Sequence, residues 1–195
     1  MENDKIKLRK KYLFYRKKLS KIEVIKMSHD IFHLSKKLSF WNKNFYHIFL
    51  PIKKYNEINT FIITDFLLKE RKKITIPCSD FIKNSIENCL FHEKSFLKKN
   101  RYGILEPVDK YIIHPSLIEV IFIPLLIFDL KGYRIGYGKG FYDKFITKCN
   151  KNVIKIGLSF FPPIEKIGSI HKNDLIIDIG ITINKIFFFS KKKIL

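Results

Sequence analysis

The sequence contains no alanine and no glutamine, three cysteines, and only five arginines, Arg9, Arg16, Arg71, Arg101 and Arg134. Cys78, Cys89 and Cys149 are odd in number and form no C-x-x-C pair, which excludes a zinc ribbon or a dense disulfide scaffold. The expectation is free thiols, used as small packing residues in a cytoplasmic protein. Long apolar runs are also missing. The most apolar stretch, Val120 to Phe128, is interrupted by Pro124 and reaches about half of the ~20 residues that a membrane span needs. The opening MENDKIKLRKK has no apolar core of the signal-peptide kind. A formal charge of +20 suggests a polyanionic partner, yet all but five of the 38 Lys plus Arg are lysine. Ile, Lys, Phe and Asn abound while Ala and Gln are absent, the bias that AT-rich codons produce. The total charge is therefore read as background rather than as a nucleic-acid footprint.

What is present suffices for one core. With 195 residues, 46% of them hydrophobic and 15% aromatic, the chain reads as a single domain over 1–195. Leu8, Tyr12, Tyr15 and Leu19 fall in one stripe of a first helix, and Lys5, Arg9 and Arg16 in an adjoining stripe about 40° wide. Ser20 and Glu23 form a capping box for a second helix carrying Met27, Ile31, Leu34, Leu38 and Trp41. From Tyr46 onward, short apolar runs at 46–50, 73–77, 119–124, 153–158 and 175–183 read as strands, and the FFFS of the tail as a last one. Thr60 to Lys69 and Phe141 to Cys149 read as intervening helices. Such alternation predicts an α/β fold with N-terminal helices and a mostly parallel sheet between helical layers.

Glycine is scarce but concentrated. Four of the eight, Gly132, Gly136, Gly138 and Gly140, fall within nine residues of FDLKGYRIGYGKGFYDKF, 128–145, between a strand and a helix. Glycines permit positive φ and bring bare N–H groups to a ligand, the helix start adds free N–H groups, and Arg134 and Lys139 add full charges. This arrangement suits the phosphates of a nucleotide, with Asp143 placed to meet Mg²⁺. It is not a Walker A loop, since Gly140 rather than Ser or Thr follows Lys139, and G-x-G-x-G is not the dinucleotide fingerprint. His29 and His33 echo H-E-x-x-H without its glutamate.

Residues 119–145, EVIFIPLLIFDLKGYRIGYGKGFYDKF, are similar to the signature of the 5-formyltetrahydrofolate cyclo-ligase family, roughly DLVIVP-x3-FD-x2-G-x-RLG-x-G-x-GYYDR-x-L. The departures are Glu119 for Asp, Ile135 for Leu, Phe141 for Tyr and Lys144 for Arg. Lys5-x3-Arg9 resembles an element that contacts ATP phosphates, IFLPIKKYNEINT (48–60) a folate-facing strand and loop with Asn59 in place of the usual Asp, and YGILEP (102–107) a further family segment. The resemblance implies a Rossmann-like three-layer sandwich. It also implies ATP-dependent conversion of 5-formyltetrahydrofolate to 5,10-methenyltetrahydrofolate, through phosphoryl transfer to the formyl oxygen and attack by N10. By the same resemblance, Lys139 and Arg134 are the catalytic cations. Lys5, Arg9, Arg134, Ile135, Gly136, Tyr137, Gly138, Lys139, Gly140, Phe141 and Tyr142 hold ATP, and Leu50, Glu57 and the Tyr137–Phe141 face hold the folate, with polyglutamyl forms admitted. Asp143 and Asp174 hold Mg²⁺, with Asp178 a competitor for the second place. A monomer in the cytoplasm, with no membrane or specific nucleic-acid partner, completes the expectation. The competing readings are a basic RNA- or DNA-binding module, which lacks any RNP, KH or zinc-finger pattern, and another ATP-dependent kinase or ligase on a similar scaffold.

Overall fold

The computed structural model describes residues 2–83, 85–168, 170–171 and 174–190. Two helices open it, α1 (Glu2–Lys18) and α2 (Lys21–Ser35). The break between them is a capping box: Ser20 Oγ accepts from Glu23 N at 3.2 Å, while Glu23 Oε2 accepts from Ser20 N at 2.7 Å. Satisfying free N–H groups this way stops the first helix and starts the second. α2 ends earlier than the periodicity predicts, so Leu38 lies past its end and Trp41 in a 3₁₀ turn, Ser39–Asn42, both still packed on the core.

The remaining elements in order are β1 (Phe45–His47), α3 (Phe61–Lys69), β2 (Lys73–Asp80), β3 (Ser85–Phe91), β4 (Leu97–Lys99), β5 (Leu105–Pro107), β6 (Val120–Ile123), β7 (Ile127–Phe128), β8 (Arg134–Ile135), α4 (Phe141–Ile146), β9 (Ile154–Leu158), β10 (Ile179–Ile181) and β11 (Ile186–Phe188). Helix α4 stops at Ile146 rather than Cys149, because the next residues tighten into i→i−3 bonds from Lys148 N and Cys149 N. β3, β4, β5, β7 and β8 are additional to the strands read from apolar runs. Each is short or, in the case of S-I-E-N-C-L-F, mixes polar with apolar residues as an edge strand does.

Seven strands form one sheet in the order β11-β10-β9-β6-β1-β2-β3. β10, β9, β6, β1 and β2 run parallel, and only β3 and β11 run antiparallel, one at each edge. Alternate residues of β6 supply both faces: Val120 and Phe122 join the core under α2 and α3, while Ile121 and Ile123 join a second core with Phe145 and Ile146 of α4. The result is the three-layer α/β sandwich that the strand–helix alternation predicts.

One detail departs from the sequence reading. Cys78 of β2 and Cys89 of β3 form a cross-strand disulfide with Cα atoms 6.3 Å apart, so only Cys149 is a free thiol. Their partners in register are Glu87 and Ile76, which makes them diagonal neighbours, a juxtaposition that a sequence separation of 11 conceals. Among the described residues, no helix is long and apolar enough to cross a membrane.

The sheet also says where a ligand belongs. From β1 the chain moves through α3 to β2 on one side, and later returns to place β6 on the other. At such a reversal of strand order, the loops leaving the carboxyl ends diverge and open a crevice. Here those loops are 48–60 after β1 and the segment from Pro124 after β6.

Candidate active site

That crevice is a cleft of about 630 Å³. Its lining includes every residue that the resemblance assigns to ATP, folate or Mg²⁺, apart from the competitor Asp178: Lys5, Arg9, Leu50, Glu57, Arg134, Ile135, Gly136, Tyr137, Gly138, Lys139, Gly140, Phe141, Tyr142, Asp143 and Asp174. They arrive from α1, the loop after β1, the hairpin and glycine loop after β6, the start of α4, and the segment before β10.

The glycine loop is built from below. Asp129 is fully buried, and its carboxylate accepts from Lys131 N and Tyr133 N at 2.9 Å and from Ile167 N at 3.0 Å. This aspartate shapes the β7–β8 turn and does not line the cleft. Arg134 then leaves β8 with Nη2 2.7 Å from Asp143 Oδ1, and Nη1 donates to Leu175 O. The pair ties the loop before α4 to the segment before β10. Gly138 and Gly140 adopt φ of 90° and 68°, whereas Gly136 does not share this conformation. At Gly138 the need is double, since a Cβ there would stand 3.0 Å from Arg9 Cζ. Lys139 is exposed at the loop tip, without an ion pair among the described residues.

Helix α1 closes this end. Its cationic stripe, not only its apolar one, faces the molecule. Arg9 Nε donates to Gly136 O at 2.9 Å, and Lys5 pairs with Asp174. Burial alone would raise the Asp174 pKa, but the bond from Lys5 and that from His171 N hold it below the ordinary carboxylate value. Asp178 does not compete for a place in the cleft. It is buried beside β9, where it accepts from Lys155 N at 2.8 Å.

At the other end the walls turn apolar, with Phe49, Leu50, Ile52, Pro77, Phe81 and Ile104. One carboxylate, Glu57, lies in the floor with 4% exposure. Its Oε2 accepts from Ile52 N at 2.6 Å, and its Oε1 accepts from the Tyr137 hydroxyl. Burial drives the Glu57 pKa upward, opposed by Arg16, the Tyr137 hydroxyl and the Ile52 amide. The Tyr137 and Tyr142 phenols are pushed above their usual range, first by burial and then by the Glu57 charge. Phe141 sets its ring 5.3 Å from that of Phe81. Asn59 stays outside the cleft, with its N bonded to Ser28 Oγ at 2.9 Å.

Several contributors escaped the sequence reading. Phe81 and Tyr102 meet at the cleft edge with ring centroids 3.8 Å apart, although 21 positions separate them. Arg16 was visible on the same stripe as Lys5 and Arg9, but no motif assigned it a role. The cleft therefore holds cations and backbone N–H groups at one end and an apolar slot with a buried carboxylate at the other. No Ser or Cys side chain among the described cleft residues bonds a histidine, so the geometry favours binding and charge neutralisation over covalent catalysis.

A family model described as the 5-formyltetrahydrofolate cyclo-ligase family matches residues 1–179. The 5-formyltetrahydrofolate cyclo-ligase of Haemophilus influenzae is 31% identical over 108 residues, covering 53% of this chain and 58% of its own length. That of Mus musculus is 28% identical over 130 residues, covering 63% and 59%. The chain thus spans less than two thirds of the length of these curated relatives. The NMR structure of 5,10-methenyltetrahydrofolate synthetase from Aquifex aeolicus superposes with a TM-score of 0.81 at 29% identity, over 98% of this chain and 95% of that one.

Proposed function

Because the chain belongs to the 5-formyltetrahydrofolate cyclo-ligase family, we propose that it converts 5-formyltetrahydrofolate and ATP to 5,10-methenyltetrahydrofolate, ADP and phosphate. The observation that carries this reading is the two-ended cleft. A cationic, glycine-lined end faces an apolar end with one buried carboxylate, in a single cavity of about 630 Å³. A nucleotide and a folate need those two environments side by side.

In this reading Lys139, Arg134, Arg9 and the N–H groups of 136–140 receive the triphosphate, with Lys5 behind them on α1. Leu50 and Glu57 receive the folate against Tyr137 and Phe141. Transfer of the terminal phosphoryl group to the formyl oxygen turns that oxygen into a leaving group. N10 then attacks the formyl carbon and phosphate departs. Both reacting atoms belong to the substrates, so the protein's share is alignment and charge neutralisation. Asp143 and Asp174 suit a hard cation such as Mg²⁺, since each keeps one carboxylate oxygen without a hydrogen bond among the described residues. Bound there, the ion would neutralise phosphate charge. The same reading places the chain in the cytoplasm as a monomeric single domain, with polyglutamyl folates admitted. The nucleic-acid module and the unrelated kinase or ligase gain no support from the family match.

The test is direct. Protein mixed with 5-formyltetrahydrofolate, ATP and Mg²⁺ should show growth of the methenyl-folate absorbance, and omission of ATP or addition of EDTA should abolish it. No growth with all components present would overturn the assignment. Lys139→Ala should raise the KM for ATP about 10- to 100-fold, the value of a charge-assisted bond of about 1.5–3 kcal/mol.

A further inference from the structure

Arg16 lies on the outermost helix, yet its side chain is buried, at 4% exposure for the residue, beneath the cleft. Its donors reach three separate segments. Nε donates to Tyr55 O at 2.8 Å in the loop after β1, Nη1 to Leu125 O at 3.2 Å in the segment after β6, and Nη2 to the Tyr137 hydroxyl of the glycine loop. The Tyr137 hydroxyl passes the interaction on by donating to Glu57, whose Oε1 stands 3.9 Å from Arg16 Nη2. One guanidinium thus joins both loops of the strand-order reversal to the phosphate-side loop.

Stability alone accounts poorly for this arrangement. A buried ion pair gives up so much hydration that well-packed apolar residues of the same volume often do as well. A planar fork that saturates several fixed acceptors has another use, because it fixes its neighbours relative to one another. Among the described residues, the titratable groups around Glu57 are Arg16 from α1, Tyr137 from the glycine loop and Tyr142 from α4, with Lys54 and Tyr55 on its own loop. Arg16 is the one buried cation of that set. It is the largest influence opposing the rise that burial imposes on the Glu57 carboxyl.

We propose that Arg16 is a positioning residue for the cyclisation. Acting through Tyr137 and Glu57, it aims the Glu57 carboxylate at the folate and holds the folate loop in register with the phosphate loop. The formyl oxygen and the terminal phosphate then meet in line. The inference rests on the cyclo-ligase reading.

Three variants test it: Arg16→Lys, which keeps the charge but not the fork; Arg16→Met, which removes both; and Tyr137→Phe, which removes the relay and leaves the cation. Steady-state kinetics in both substrates are read beside direct calorimetric binding of 5-formyltetrahydrofolate and of ATP, with thermal melting as the folding control. Arg16→Lys and Tyr137→Phe should bind folate about tenfold more weakly and lower kcat about tenfold or more, with ATP affinity within about twofold of wild type. In Arg16→Met, Glu57 should take up its proton at higher pH, so the acid limb of kcat/KM for folate should move upward in pH. Folded variants with wild-type folate affinity and kcat would overturn the inference. So would equal losses of folate and ATP binding that track the fall in melting temperature. If Arg16→Met fails to fold, Arg16→Lys decides, since Arg16 does not itself line the cleft whereas Tyr137 does. Absence of turnover in the wild type overturns the cyclo-ligase reading and the inference with it, whereas wild-type turnover with unaltered variants overturns the inference alone.

Discussion

His47 occupies the middle of the molecule with no exposure, at the end of β1. Asn88 Nδ2 donates to Ile113 O at 3.2 Å, so the Asn88 Oδ1 that lies 2.6 Å from His47 Nδ1 acts as acceptor and Nδ1 carries the proton. Nε2 is left to accept from the Tyr142 hydroxyl at 3.4 Å. Burial holds the imidazole pKa down to about 4, against an ordinary 6.5, although the Asn88 bond partly opposes this. Since the folded pKa is lowered, the unfolded chain binds the extra proton between those values. Stability is complete above about pH 6.5 and is lost as the pH falls toward 4, by roughly 3 kcal/mol in all. Urea unfolding across that range should give a flatter pH dependence for His47→Gln than for wild type, and parallel curves would refute the assignment. No local motif marks His47 in the sequence, because Asn88 lies 41 positions away. The same distance effect separates Arg9 from Arg16. Arg9 belongs to a compact motif, and it lines the cleft. Arg16 acts through segments 39, 109 and 121 positions distant, where no local pattern can point.

At the level of elements, local chemistry was legible wherever one bond set an end. The Ser20–Glu23 box is the clearest case, because both its donors and acceptors lie within four residues. Ser20→Ala should cost about 1 kcal/mol of global stability, measured by denaturant titration, and leave kcat unchanged. A change in kcat would mean that the start of α2 reaches the cleft, which it does not line. Docking of α1 was less legible. A stripe of Leu8, Tyr12, Tyr15 and Leu19 suggests apolar attachment, yet only Tyr12 of the four is buried, 5.4 Å from the Phe161 ring. Lys5, Arg9 and Arg16 supply the polar attachment, and their acceptors are mostly backbone carbonyls, which carry no side-chain signature. Strands β7 and β8 escaped for a related reason, since two-residue ladders display no period.

For the whole molecule, sheet order explains why residues from both ends of the chain share one cleft, and charge decides how anions reach it. The parallel centre was readable from apolar runs, but the side of β1 on which β6 falls was not, because runs report burial and not neighbours. The +20 charge is carried mostly by lysine, whereas the cleft cations Lys5 and Arg134 are sheltered, with side chains at 12% and 7% exposure. Distant surface charges act through solvent and fade beyond a Debye length of about 10 Å at 0.1 M salt. Sheltered charges in direct contact with phosphates are screened much less. Raising salt from about 0.05 to 0.5 M should therefore raise the KM for ATP severalfold by weakening long-range attraction, while kcat stays within about twofold. Non-specific binding to a short DNA duplex, if it involves six or more phosphate contacts, should collapse about 10³-fold or more between 0.05 and 0.2 M. Measured together, the two curves separate the roles of the charge. Duplex binding that persists at 0.2 M would return a nucleic acid to the list of partners. A kcat that falls as steeply as ATP affinity would mean that the cleft cations are as open to solvent as the surface lysines.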